Sequence, residues 1–197
     1  MPQPHRSTPP TLLRQFILTT IAEIGRGELG QVIDDPNLLD VDQASSLSSI
    51  QAGEVFLQIQ RRLRTYYGRG ARGVLLRIGQ NLWEPILREQ KIVDRVLAAG
   101  VKVIPTGSRP KPALDLLAKI MRGSDGSVSV HTMDLNLLII DSSSPATVGL
   151  SESTPVCFVT QGLIRGALYW ASARNYDVEE TSCRAMGSDS CEFKVVI

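Results

Sequence analysis

A chain of 197 residues, 43% hydrophobic and 21% charged, is long enough for one globular domain with a sizeable core. Its 21 basic and 20 acidic side chains leave a net charge of +1, which excludes a general attraction to nucleic acid or to a membrane surface. The apolar run Phe16 to Ala22 is too short for a membrane span and lacks the basic flank and cleavage site of a secretory signal. The three cysteines cannot all pair within one chain, so a reducing compartment or a metal is expected, and the protein reads as cytoplasmic.

Residues 1–10 are rich in proline and polar side chains and read as a disordered tail that contains His5. Residues 11–47 read as a helical arm. Leu12, Leu13, Phe16, Ile17, Ile21 and Ile24 recur at helical spacing up to Gly25 and Gly27, and the stretch beyond is broken by Pro36. The stripe on this first helix is a candidate homodimer contact; packing on its own domain is the alternative. Residues 48–197 read as the main domain. Ser48 and Gln51 form a capping box ahead of a helix bearing Ala52, Phe56, Ile59 and Leu63. Gly68 and Gly70 separate it from a second helix with Leu75, Ile78, Leu82, Trp83 and Ile86 that tolerates or bends at Pro85. A short helix with Ile92, Val93, Val96 and Leu97 is expected to end at Gly100, and a further one runs from Pro110 to a stop at Gly123.

After Gly126 the apolar period changes from helical to two, and a hairpin turning near Asp134 is expected from Val128 to Ile140. A serine-rich loop follows. Thr154 and Pro155 are expected to start a helix running to about Ala173, on which Gly162 and Gly166 form a flat strip for close approach. Two strands then run from Tyr176 to Met186 and from Cys191 to Val196. These elements predict an α+β fold, a helical first half packed on a four-stranded antiparallel sheet.

Cys183 and Cys191 lie four residues to either side of Gly187, so a hairpin centred there sets them opposite each other. That arrangement suits two thiolates on one metal or a disulfide; three free buried cysteines is the remaining alternative. Glu180 adds a carboxylate, and sulfur with carboxylate oxygen is a plausible zinc shell. Cys157 lies in the expected first turn of the upstream helix, where the helix dipole favours a thiolate. Glu180 and Cys183 are an odd number apart and fall on opposite faces of a straight strand. Both can face one ion only if the strand bulges near Thr181 or Ser182.

The pattern Cys183-Arg-Ala-Met-Gly187, Cys191 and Phe193, with Glu180 ahead and Cys157 upstream, resembles the 4-vinyl reductase domain family. That domain is similar to the aromatic-sensing input domain of xylene- and phenol-responsive regulators and, more distantly, to small subunits of Golgi vesicle-tethering complexes. The resemblance implies a fold of the NO-signalling and Golgi-transport ligand-binding type. It also implies a zinc held by Cys157, Glu180, Cys183 and Cys191, and association through N-terminal helices. Three thiolates and a carboxylate leave no open position, so the zinc would be structural.

Other candidate chemistry is weaker. Gly68, Gly70 and Gly73 match G-x-G-x-x-G, but they follow a helical segment rather than a strand, which argues against a dinucleotide site. Arg61, Arg62, Arg64, Arg69, Arg72 and Arg77 form a basic cluster that could meet acidic groups of a ligand or serve only as a solvated face. No nucleophile and base pair can be picked out, so no catalytic residue is nominated. Residues 101–150 contain no Trp, Tyr or Phe, so a pocket there would be aliphatic. Trp83, Phe158, Tyr169, Trp170 and His131 are the candidate ligand contacts. The sequence thus predicts a binder of a small hydrophobic molecule, such as a hydrocarbon or tetrapyrrole, acting as sensor or carrier. Because no output domain follows residue 197, a sensor would need a partner chain. The alternative is an accessory protein or reductase component for vinyl reduction in bacteriochlorophyll synthesis.

Overall fold

The structure is a computed structural model that describes residues 8–121 and 127–197. His5, Gly123 and Gly126 lie outside the described residues. The packed chain begins earlier than the expected boundary. Thr8 is buried and its N–H donates to the Ser49 carbonyl at 2.9 Å, and Pro10 opens the first helix.

Eight α-helices are described: α1 (Pro10–Ile24), α2 (Arg26–Val32), α3 (Val41–Ser46), α4 (Ser49–Tyr67), α5 (Ala71–Glu89), α6 (Ile92–Val103), α7 (Pro110–Met121) and α8 (Phe158–Ser172). Short 3₁₀ turns join several of them. Gly25 ends α1 with φ 89°, in the region that glycine enters without strain. The capping box forms as expected. Gln51 N–H donates to Ser48 Oγ at 3.4 Å, and Ser48 N–H donates to Gln51 Oε1 at 3.0 Å. Helix α6 does not stop at Gly100 but passes through it to Val103.

The stripe on α1 is used inside the chain. Leu12, Leu13, Phe16 and Ile17 are buried in the common core, and the Phe16 ring lies 4.5 Å from that of Phe56. These four side chains leave little surface for a second copy, so the sequence-based reason for placing a dimer contact there is lost. The preference for core burial is simple: α1 has α3 and α5 beside it to cover the stripe.

Helix α8 crosses α5 at the closest approach in the molecule. A Cβ added to Gly79 would lie 2.1 Å from the Val159 carbonyl oxygen, one on Gly162 2.2 Å from that of Leu76, and one on Gly166 2.3 Å from that of Gln80. The flat strip expected at Gly162 and Gly166 is therefore real, and its partner is Gly79 on α5. Most side chains of α8 are buried, as for a helix covered on several sides.

The sheet has strands β1 (Val128–Met133), β2 (Asn136–Asp141), β3 (Asp177–Ser182) and β4 (Cys191–Val196), all antiparallel in the order β1-β2-β4-β3. The β1–β2 turn sits at Asp134, which takes φ 52°, as the hairpin reading requires. Leu137, Ile139, Val178, Phe193 and Val195 fill the buried face. The α+β architecture, a helical first part and a four-stranded antiparallel sheet, agrees with the sequence reading.

Two sequence expectations at the C-terminal end are corrected. Helix α8 begins at Phe158, not at Thr154 or Pro155, so Cys157 is its N-cap rather than part of its first turn. The Cys157 N–H is committed to Glu180 across the fold, and its ψ of 44° lies outside the helical range. Strand β3 ends at Ser182, and a 3₁₀ turn, Arg184–Met186, replaces its expected last residues. Gly187 follows with φ 93°.

Candidate metal centre

Four acidic side chains meet where the N-terminal end of α8 reaches the β3–β4 connection. One ligand atom from each of Cys157, Glu180, Cys183 and Cys191 lies within 4.8 Å of the others, and all four residues are buried. All three cysteines are free thiols in this structure.

Each ligand arrives from a different local device. Cys191 opens β4 and pairs with Asp141 of β2. Cys183 leads into the 3₁₀ turn, and its carbonyl accepts from the N–H groups of Met186 and Ser188. The register slips between Glu180, which pairs with Phe193, and Ser182, which pairs with Glu192. Thr181 is thus the extra residue of a β-bulge, at one of the two positions the sequence requires. The bulge turns both Glu180 and Cys183 inward. Cys157 stands at the dipole-positive end of α8.

Sulfur to sulfur, Cys157 and Cys191 are 3.4 Å apart. A tetrahedral ion with bonds of ~2.3 Å holds its sulfurs roughly 3.8 Å apart, so a small adjustment admits one. Glu180 Oε2 accepts from the Cys157 N–H at 2.9 Å. Its Oε1 is buried with no hydrogen-bond partner. A buried, orphaned carboxylate oxygen facing three thiols is what a metal ligand looks like before the ion is added.

Without a cation these groups cannot all ionise, and they titrate as a set. Hydrogen bonds to Cys183 and Cys191, together with burial, push the Cys157 thiol well above its usual range. Burial pushes Glu180 up to about 8. Cys183 takes the charge, held far below the usual thiol range by hydrogen bonds from Cys157 and Cys191. At Cys191 the hydrogen bond from Cys157 pulls downward, but the one with Cys183 and burial outweigh it, and the thiol is pushed up. A divalent ion would reverse this balance by stabilising all four deprotonated donors. The cluster could therefore hold a metal ion, and its four donors would complete a tetrahedral shell.

The residues expected to contact a hydrophobic ligand are not brought together. Trp83 is buried, with its ring 5.7 Å from that of Trp170 in an edge-on contact. Tyr169 is half exposed. Phe158 lies under the Arg72 guanidinium at 5.8 Å. His131 is exposed on β1, 2.9 Å from the Ser129 hydroxyl.

An apolar crevice of about 40 Å³ lies instead between the helices and the sheet. Leu12, Phe56, Leu82, Val128, Val159 and Leu163 are among its walls, with Asp141, Ser143 and Thr160 as polar groups. No sequence signal marks its lining, because the same helical periodicity serves core and pocket alike. The glycine motif Gly68-Arg-Gly70-Ala-Arg-Gly73 joins α4 to α5 and follows no strand, which is the wrong context for a dinucleotide.

The comparisons with known proteins agree with this architecture. Residues 139–197, which carry all four cluster residues, match the family model of the 4-vinyl reductase domain, as the cysteine pattern led us to expect. No curated protein matches the chain. Among solved structures, the chain is similar to the phenol-responsive sensory domain of the transcription activator PoxR, solved with phenol. The identity is 15% and the TM-score 0.53, over 73% of this chain and 73% of that one. It is also similar to a trafficking protein particle complex subunit 3 from Naegleria fowleri covalently bound to palmitic acid, at 16% identity and TM-score 0.52, over 73% of this chain and 93% of the other. An H-NOX protein from S. oneidensis, in the Fe(II)NO ligation state, aligns over 92% of this chain and 97% of its own at 15% identity and TM-score 0.52. At these identities the likeness is one of fold. Among the described residues, no helix is long and apolar enough to cross a membrane.

Proposed function

We propose that this protein is a small-molecule-binding module, a sensor or carrier, whose sheet is tied to α8 by a structural zinc. The observation that carries the reading is the closure of the metal shell. Cys157, Glu180, Cys183 and Cys191 supply all four donors, so the ion has no position for water or substrate. When bound, zinc would neutralise the cluster and cross-link α8 to β3 and β4. The match to the 4-vinyl reductase domain and the ligand-bearing folds of similar structure support binding as the role.

The ligand would enter the crevice between the helices and the sheet. That crevice holds about 40 Å³, roughly an order of magnitude less than a usual ligand pocket, so binding must move its walls apart. Its aliphatic lining favours a hydrocarbon chain or another broad apolar surface. Thermal shift of the zinc-loaded chain tests this, because only ligands that bind the folded form raise its melting temperature. Fatty acids and tetrapyrroles should raise it more than simple phenols, and NADPH should not raise it. Reduction of a vinyl tetrapyrrole by the purified protein with NADPH would favour the enzymatic alternative.

A homodimer retains a physical basis, but on α6 rather than α1. Ile92, Val93, Val96, Leu97 and Val103 are exposed by 47 to 85% and fall on one arc of that helix. Beside them, Gly100, Ile104, Pro112 and Leu116 line an apolar groove against α7. The exposed apolar surface is on the order of 500 Å², more than a monomer usually shows and not far below the ~800 Å² that each partner gives to a stable interface. A second copy of this chain is the occupant that matches this surface, since a two-fold pair covers the same face on both copies at once.

A further inference from the structure

A second concave site lies on the other side of Phe158, and none of its lining residues lines the apolar crevice. It is a cleft of about 520 Å³ between the C-terminal half of α4, the start of α5 and the loop that precedes α8. Arg61, Arg64, Arg69 and Arg72 converge on it, and Leu150 and Phe158 give it an apolar floor.

The charge in this cleft is not explained by the fold. Among the described residues, only Arg64 has a carboxylate partner, Glu152 at 2.6 Å. Arg61, Arg69 and Arg72 have none. The whole chain carries a net charge of only +1, so an excess of three positive charges in one cleft is a local feature and not a consequence of composition.

The arginines are also held in place. Arg61 Nη2 donates to the Val148 carbonyl at 2.6 Å, Arg64 is fixed by Glu152, and Arg72 stands over the Phe158 ring at 5.8 Å. Guanidinium groups positioned before a ligand arrives lose less freedom on binding it, and their planar forks match phosphate oxygens.

We infer that this cleft binds an organic phosphate, with the phosphoryl group among Arg61, Arg69 and Arg72 and an apolar or aromatic body on Leu150 and Phe158. A dianionic phosphoryl group matches the excess charge better than a single carboxylate does. The phosphate could belong to a soluble ester or to a lipid headgroup, and both present the same chemistry to the arginines. The low-dielectric floor strengthens each charge-assisted hydrogen bond made there.

Calorimetric titration of the full chain with phenyl phosphate tests the inference, with inorganic phosphate and phenol as comparison ligands. Saturable binding of one phenyl phosphate per chain is expected, tighter than inorganic phosphate and weakened by salt. The double variant Arg69→Gln/Arg72→Gln should weaken it about tenfold or more, since each lost charged hydrogen bond is worth roughly that factor. Both side chains are exposed, so the fold should survive, and an unchanged melting curve confirms that it does. Arg95→Gln on α6, outside the cleft, should leave binding unchanged. Phe158→Leu should weaken phenyl phosphate while sparing inorganic phosphate.

Flotation with phosphatidylcholine vesicles carrying phosphatidate separates the two sources. Vesicle binding lost in the double variant, with only weak binding of phenyl phosphate, assigns the lipid headgroup. Tight phenyl phosphate binding without vesicle binding assigns a soluble ester. Absence of saturable binding in both formats at millimolar ligand, or equal affinity of the parent and the double variant, overturns the site.

Discussion

Glu180 reaches Cys157 across the fold: its Oε2 accepts the Cys157 N–H at 2.9 Å, while its Oε1 is buried without a partner among the three thiols. One carboxylate thus fixes the start of α8 and leaves its second oxygen for an ion. Protein purified without added metal should therefore contain one zinc per chain by elemental analysis. Cys191→Ser should lose the ion and melt at a lower temperature. Structural zinc in small domains contributes on the order of 10 kcal/mol, and the effect here should be smaller because the helical part has its own core. Metal-free protein with unchanged stability after chelation would refute the site.

The bulge makes a less obvious prediction. Thr181 is the extra residue that lets Glu180 and Cys183, three positions apart, act as if they were two apart. Deleting Thr181 should leave an unbroken ladder with both side chains still facing inward. The deletion variant should keep its zinc, at a stability close to that of the parent. Loss of zinc on deletion would show that the bulge also sets the ligand geometry.

The α5–α8 crossing should tolerate no side chain. Gly162→Ala would place a Cβ 2.2 Å from the Leu76 carbonyl oxygen, so the helices must separate. Overpacking of this kind costs about 1–3 kcal/mol, read as a lower denaturant midpoint. Gly107→Ala, where no atom lies within 4 Å, should cost far less and serves as the control.

Sedimentation should report a dimer that depends on α6. Leu97→Glu places a charge in the centre of the exposed face and should yield a monomer with an unchanged melting curve, because Leu97 makes little of the core. A dimer that survives this change would move the interface elsewhere, and a monomeric parent would leave the face for a different protein.

Tyr67 gives a test of how α2 docks on α4. Its hydroxyl donates to Glu28 Oε1 at 2.7 Å, and burial followed by this bond pushes its pKa up to about 12. A raised phenol stabilises the fold below its unfolded pKa of about 10, and that contribution is lost as pH rises through 12. Absorbance titration should show one late tyrosine, and Tyr67→Phe should remove it.

The helices, the hairpin at Asp134 and the four cluster residues were legible in the sequence, because each rests on a local signal. Ser48 and Gln51 mark a cap, apolar spacing marks a face, and Cys183 and Cys191 sit symmetrically about Gly187. Even the bulge at Thr181 followed from a parity mismatch between two ligands. Tertiary structure decided the rest. The stripes of α1 and α6 look alike as patterns, yet Phe16 and Ile17 are buried and Val96 and Val103 exposed. A hydrophobic period states that a face is apolar and cannot say which neighbour covers it. The same holds for the arginines of α4 and α5. As a run of charge they read as a solvated face, and only the loop carrying Val148 and Glu152, folded against them from far along the chain, makes them a cleft. Cys157 likewise became an N-cap because Glu180, from a strand after α8, holds its N–H. Long-range contacts of this kind have no signature in local spacing, since their partners are brought together only when the sheet closes on α8.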